Sequence, residues 1–440
     1  MAEIARNSER PQLRRDLGFF ALTAYGVGDI LGAGIYALVG KVAEMAGPGA
    51  WLSFLFSGVA AVLTGLSYAE LSSRHPYSAG AALYCKRAFP HPLPAFLVGM
   101  LVLLSGVNSA ATISVSFVGY LNEIVQVPIL LASLALLVAM SFLSFWGIRE
   151  SSAANLFMTA VEFSGLLLVI VAGFLAASGL KWVEAISRLT PRGEIAPLFS
   201  AVTVAFFAFL GFEDTVNVAE EVKNPSRALP RAIMTAIALT CLLYMTVAIA
   251  ALLALTSERL AASETPLLSV LTAAGISLPG NAFPLIALFA ICNTGLLNLI
   301  MASRLAYGMA CEGLLPRPLM LIHPVRQTPW VGVVTAFVLA ALIAVSGGVQ
   351  VLAQTTTLLL VLVFSVVQLS LIVLKRREPH PGPHVFLIPS WIPYLGLLSC
   401  LFVSTLYPPG VYGRAGVAVL IAIGLYFLGP ARKGGRVRPA

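Results

Sequence analysis

Charge is scarce in this chain. Asp, Glu, Lys and Arg make up only 10% of its 440 residues, hydrophobic residues make up 59%, and mean hydropathy is +0.92. A water-soluble domain of this size could not cover its surface with so few polar side chains, so the composition implies an integral membrane protein. Cysteine is also sparse. Cys85, Cys241, Cys292, Cys311 and Cys400 are odd in number and scattered, which argues against a disulfide framework or a paired metal-ligand spacing. His75, His91, His323, His380 and His384 are as dispersed, and all fall in loops or at the ends of apolar runs. Gly32-Ala-Gly34 has no strand before it and no Lys-Ser/Thr after it, so it is not a phosphate loop. No cofactor, metal or nucleotide-driven pump is expected.

Long apolar runs are what the chain does have. Stretches able to cross about 30 Å of hydrocarbon lie near 17–46, 49–72, 92–121, 127–146, 154–179, 197–219, 231–255, 281–309, 330–346, 351–374, 388–407 and 411–430, which predicts twelve spans. Residues 1–16 and 431–440 are left as short polar tails. Met1–Arg15 is polar and leads straight into further spans, so the first span is read as retained rather than cleaved as a signal peptide. With the N-terminus inside, 21 of the 27 Lys and Arg residues fall on the cytoplasmic side, including Arg74, Arg149, Arg304, Arg317, Arg326 and Lys375–Arg377. Both termini are then cytoplasmic. This bias, with attraction to anionic headgroups of membrane lipids, accounts for the net charge of +8 without a nucleic-acid partner.

Two of the apolar runs are broken by glycine at corresponding places: Gly26-Val-Gly-Asp-Ile-Leu-Gly-Ala-Gly-Ile-Tyr36 and Phe206-Phe-Ala-Phe-Leu-Gly-Phe-Glu-Asp214. In a bilayer each backbone amide and carbonyl needs a partner, so a break inside a span frees polar groups for a ligand or ion. Close packing of small residues would explain one such segment. Two in matching positions point to a transported substrate. Polar side chains within the spans are few: Asp29, Asn108, Thr112, Glu162, Glu213, Asp214, Asn293, Thr294, Asn298 and Gln368. Asn293 and Thr294 are read as groups bonding across helices, while for Glu213 and Asp214 the alternative to function is solvation far along their span. Glu162 lies well inside an apolar span, where a carboxylate implies function.

The second broken segment runs into Ala219-Glu-Glu-Val-Lys-Asn-Pro-Ser-Arg-Ala-Leu-Pro230, which resembles the cytoplasmic signature after span 6 of the amino acid-polyamine-organocation superfamily. Gly32-Ala-Gly-Ile-Tyr36 is similar to that family's first-span motif. Ala302-Ser-Arg-Leu-Ala-Tyr-Gly-Met-Ala310, with Gly313-Leu-Leu-Pro316, resembles the end of its eighth span. The three motifs stand in the family's order across nearly the whole chain. The resemblance implies an all-α fold of twelve transmembrane helices. Two inverted five-helix repeats, 17–179 and 197–374, would carry the broken helices 1 and 6, with 388–430 outside the repeat.

It further implies a carrier of amino acids or related amines working by alternating access. By similarity the substrate site comprises Ile30, Gly32, Ala33, Gly34 and Ile35 of the first break and Phe207, Ala208, Phe209, Leu210 and Gly211 of the second. Amides around Ile30–Gly34 would hold the carboxylate, and carbonyls of Phe207, Ala208 and Leu210 the ammonium group. The dipoles of the half-helices favour that division. Phe207 occupies the position of an aromatic cover, and the phenylalanines around it suit an apolar or small neutral side chain. The rival is a cationic amino acid or polyamine drawn by Glu213, which equally suits an anchor for the break.

Aligned from Asn155, Glu162 stands where proton-coupled relatives carry a lysine. A glutamate there either carries the coupled proton, since low-dielectric surroundings favour the neutral acid, or stays ionised and, with Asp29, binds a cation such as sodium. Proton coupling is the preferred reading, with Glu162, Glu213 and Asp29 as the coupling candidates. A transport-incompetent sensor would need a signalling domain, and a membrane enzyme a catalytic constellation at a membrane face. Neither feature is visible in the sequence. Compact loops suit a prokaryotic plasma (inner) membrane.

Overall fold

The computed structural model describes residues 13–429 except 123–124, 192–195, 264, 277–281, 347–348 and 383–384. The tails 1–12 and 430–440, with most of the terminal basic residues, lie outside the described residues. The helices in chain order are α1 (Phe19–Ala46), α2 (Ala50–Arg74), α3 (Gly80–Ala88), α4 (Pro92–Asn122), α5 (Ile129–Trp146), α6 (Ile148–Ala177), α7 (Trp182–Leu189), α8 (Ala196–Phe207), α9 (Pro225–Ala254), α10 (Ser257–Ala261), α11 (Pro266–Ala273), α12 (Ala282–Cys311), α13 (Trp330–Ser346), α14 (Val349–Arg377), α15 (Ile392–Thr405) and α16 (Pro409–Leu428). A 3-10 segment, Phe212–Glu221, follows α8 beyond its break.

Among the described residues, ten helical stretches are long and apolar enough to cross a membrane. Each of the twelve expected spans coincides with a helix, but 330–345 and 392–405 form shorter apolar helices. The 14 residues of α15 rise only about 21 Å, less than the hydrocarbon thickness. Several ends differ from the hydropathy reading. The fifth span begins at Ile148 rather than 154, and the seventh at Pro225 rather than 231. In both cases a polar turn is wound into the start of the helix.

The packing relates the two halves element by element. α1 lies on α8, α2 on α9, α4 on α12 and α5 on α13, so four of the five spans of the first half meet their counterparts in the second, while α6 and α14 do not pack extensively on each other. Small residues allow the close approaches: a Cβ on Gly65 would fall 2.1 Å from Ile237, and one on Gly308 2.1 Å from the Ser78 carbonyl oxygen. The N-terminal residues join the core as well. Leu17, expected to begin the first span, instead pairs in parallel with Val222, its amide donating to Glu221 O (3.0 Å) and its carbonyl accepting from Lys223 N (2.8 Å).

Candidate functional site

Both glycine-rich segments are broken, and the breaks face each other. In α1 the helix is interrupted at Gly32 (φ +32°, ψ −166°), a backbone that a side chain would strain. In the second half α8 stops at Phe207, and the turn that follows reaches φ +122° at Gly211 before the 3-10 segment starts. A Cβ at Gly211 would fall 2.8 Å from the carbonyl carbon and oxygen of Asp29, and one at Gly34 3.2 Å from Cα of Ala208. The glycines therefore serve two needs, the turn itself and the contact between the two breaks.

Between them lies a cavity of about 250 Å³. Ile30, Gly32, Gly34, Phe207, Ala208, Leu210 and Gly211 line it, together with Asp29, Glu213 and Asp214. α4 closes it with Asn108 and Thr112, α12 with Thr294 and Asn298, and α14 with Thr356. Not every expected residue points inward. Ile35 and Phe209 are fully buried outside the cavity lining, and Phe209 packs edge-on against Tyr244 (5.1 Å between centroids). Ala33 sits in the first break, but its side chain is outside the described residues. Phe207 stays 37% exposed at the cavity, the position a cover over a bound molecule would need.

The alternative that Glu213 and Asp214 are solvated does not hold. Both are buried (4% and 5% exposed) and face Asp29, because the 3-10 segment turns back towards α1 instead of running on into water. Glu213 accepts a hydrogen bond from the Gly211 amide (2.9 Å), which anchors the turn. One oxygen of Asp29 has no hydrogen-bond partner, and none of the three acids forms an ion pair among the described residues. Thr294 also departs from its expected cross-helix role. Its hydroxyl bonds its own helix at Ala290 O (3.2 Å) and lies where a Cβ on Gly32 would be only 2.6 Å away.

Glu162 is fully buried and does not line the cavity. It lies beside Asn293 of α12 and Tyr36 of α1 and within electrostatic range of Tyr244 of α9, and neither carboxyl oxygen has a hydrogen-bond partner among the described residues. Tyr36 donates to its main-chain carbonyl (3.1 Å). Nearby, Asn155 donates to Asn293 (2.9 Å) and to Thr159 (3.1 Å), and Asn293 donates to Thr159 (3.0 Å). This amide cluster touches α1 at Gly28, where a Cβ would meet all three side chains within 2.8 Å.

Two groups of consequence escaped the sequence reading. The Tyr244 hydroxyl lies 2.6 Å from Ile30 O, 3.0 Å from Leu31 O and 3.2 Å from Ala208 O. Its single hydrogen serves freed carbonyls of both breaks, and the hydroxyl lies within electrostatic range of Glu162. A tyrosine in an apolar span carries no periodic signal for such a role. Arg304, counted among the cytoplasmic charges, is fully buried and forms an ion pair with Glu221 (3.2 Å), with Ser144 and Ser303 accepting its remaining hydrogens (3.0 and 2.8 Å). That pair joins the signature after span 6 to the motif at the end of span 8.

Comparison with known proteins agrees with this architecture. A family model described as "Amino acid permease" matches residues 17–428. The chain belongs to this family, within the amino acid-polyamine-organocation superfamily. It is 29% identical over 448 residues to the branched-chain amino acid permease of Bacillus subtilis (strain 168), covering 97% of this chain and 95% of that protein. It is 35% identical over 349 residues to the chloroplastic cationic amino acid transporter 9 of Arabidopsis thaliana (72% of this chain, 59% of that one). It is 33% identical over 403 residues to cationic amino acid transporter 4 of Mus musculus (86% and 62%). The chain thus spans nearly all of the bacterial relative and about three-fifths of the two eukaryotic ones.

Proposed function

We propose that this permease is a secondary active carrier that takes up neutral, apolar amino acids by alternating access, driven by protons. The observation that carries the reading is the cavity between two apposed helix breaks. The substrate carboxylate is held by amides of the Gly32–Gly34 break and its ammonium group by carbonyls of the Phe207–Leu210 turn. Phe207 covers the site and Leu210, Ile113, Ile291 and Leu360 face the side chain. Charge at a break is worth more there than in water, since the half-helix dipoles act in a low dielectric. Glu213, tied to the Gly211 amide, acts as an anchor of the turn.

Glu162 carries the coupled proton. It sits against α1, α9 and α12, so its charge state acts on the broken helices without its touching the substrate. Tyr244 is the link, since it lies within electrostatic range of Glu162 and holds carbonyls of both breaks. The protein works in the plasma membrane with both termini in the cytoplasm, as the basic-residue bias implies.

One observation favours a second reading. Among the described residues, Asp29 and Asp214 add two acids without an ion pair to the cavity wall, and no Lys or Arg lines it. A cationic amino acid would complement that wall, with sodium as the alternative coupling ion at Asp29 and Glu162. Uptake of leucine, alanine, arginine and putrescine into proteoliposomes of the purified protein, under imposed proton or sodium gradients, separates the readings. Arginine uptake that leucine does not compete with would overturn the neutral-substrate reading. Accumulation driven by sodium alone would overturn proton coupling.

A further inference from the structure

Away from the cavity, α5 and α13 leave a groove of about 270 Å³ between them on the lipid-facing surface. Val138, Phe142, Phe145, Trp330, Val334 and Phe337 form most of its wall. Phe142, Trp330 and Val334 are exposed, so the groove opens sideways towards hydrocarbon rather than towards either solution. Its lining contains one hydroxyl, that of Ser141. That residue is 8% exposed, and its hydroxyl has no hydrogen-bond partner among the described residues.

The groove ends at the face that the basic-residue bias marks as cytoplasmic. There Trp146 packs edge-on against Phe142 (4.8 Å), and the Arg326 guanidinium lies 4.3 Å over the Trp146 ring. Arg326 forms no ion pair among the described residues. Arg149 and Arg317 are exposed on flanking segments. The acid at this rim is Glu150, whose carboxylate turns back towards Gly147, and His323 packs edge-on against Phe145 (5.2 Å).

We propose that this groove binds an anionic phospholipid of the cytoplasmic leaflet. An acyl chain fills the apolar wall from Phe142 to Phe337, the phosphate meets Arg326, and the Ser141 hydroxyl donates to an ester carbonyl. The vertical spacing suits this assignment. Ser141 lies five residues, about 7.5 Å, below Trp146 along α5, so an ester group beneath a phosphate at the rim reaches its depth. Aromatic side chains at the membrane boundary and unpaired basic groups on the inner leaflet are what such a headgroup region recognises. The assignment stands apart from the substrate reading, because no residue of the groove lines the substrate cavity.

The test is native mass spectrometry of the delipidated full-length protein, resupplied with phosphatidylglycerol or phosphatidylcholine. The wild-type protein should retain phosphatidylglycerol in preference. Arg326→Gln should lower that retention about fivefold, the change that corresponds to roughly 1 kcal/mol for one basic residue at the surface, and leave phosphatidylcholine unaffected. Val334→Trp, which fills the groove, should lower both. Equal retention of the two lipids, or Arg326→Gln behaving as wild type, would overturn the proposal. So would a Val334→Trp variant that changes the oligomeric mass but not the number of bound lipids, since a second copy of the chain would then be the occupant.

Discussion

Glu162 concentrates the cost of this architecture in one side chain. A buried carboxylate with no hydrogen-bond partner among the described residues is unfavourable when charged and far less so when neutral, so its protonation is tied to the packing around it. Glu162→Gln resembles the protonated state permanently. Substrate should still bind and exchange in counterflow, while a pH gradient no longer drives accumulation. Wild-type gradient dependence in the Gln variant would make Glu162 a structural group only. Tyr244 is tested separately, because its hydroxyl is the donor between the two breaks. Tyr244→Phe keeps the ring and its contact with Phe209 but removes about 1 kcal/mol of hydrogen bonding. The KM for uptake should therefore rise about fivefold with the protein still inserted. An unchanged KM would show that the carbonyls are organised without it. Neither the Tyr244 contact nor the burial of Glu213 and Asp214 was legible in the sequence, since both follow from how the turn after Phe207 folds back on α1.

At the scale of elements, the pair of broken helices behaves as one unit. The glycine pattern made both breaks legible, because only a residue without Cβ tolerates φ +32° at Gly32 or φ +122° at Gly211. What the pattern could not convey is that the breaks touch, with Gly34 facing Ala208 and Gly211 facing Asp29. Gly34→Val should abolish substrate binding by the purified protein, since its branched Cβ would push the second break away, while insertion into the membrane continues. Unchanged affinity would remove the proposed site. Ile35 and Phe209, expected at the site from their place in the motifs, point the other way, because neighbouring residues on a helical turn face different sides.

For the whole molecule, the long-range ties are buried ion pairs. Glu221 and Arg304 are both fully buried, 83 residues apart, and Glu70 bonds to both Arg74 and Lys375 (2.6 and 2.7 Å). Arg304→Met leaves Glu221 as an uncompensated buried charge and should lower stability by about 3–5 kcal/mol, read as a large drop in the unfolding midpoint in detergent. Adding Glu221→Leu should recover most of the loss. If the double variant is no more stable than Arg304→Met alone, the pair is not the relevant interaction. By itself the sequence determined the membrane class, the positions of the apolar segments, the two breaks and the family, because each rests on composition, on glycine at set positions or on contiguous motifs. The tertiary structure alone decided which polar groups are satisfied and which are left open. Tyr244 came to bridge the breaks, Glu162 to stand apart from the cavity, and Arg304 to meet Glu221. Those outcomes depend on contacts between helices distant in sequence, and hydropathy, which reports only whether a residue tolerates lipid or core, has no term for the partner it will find there.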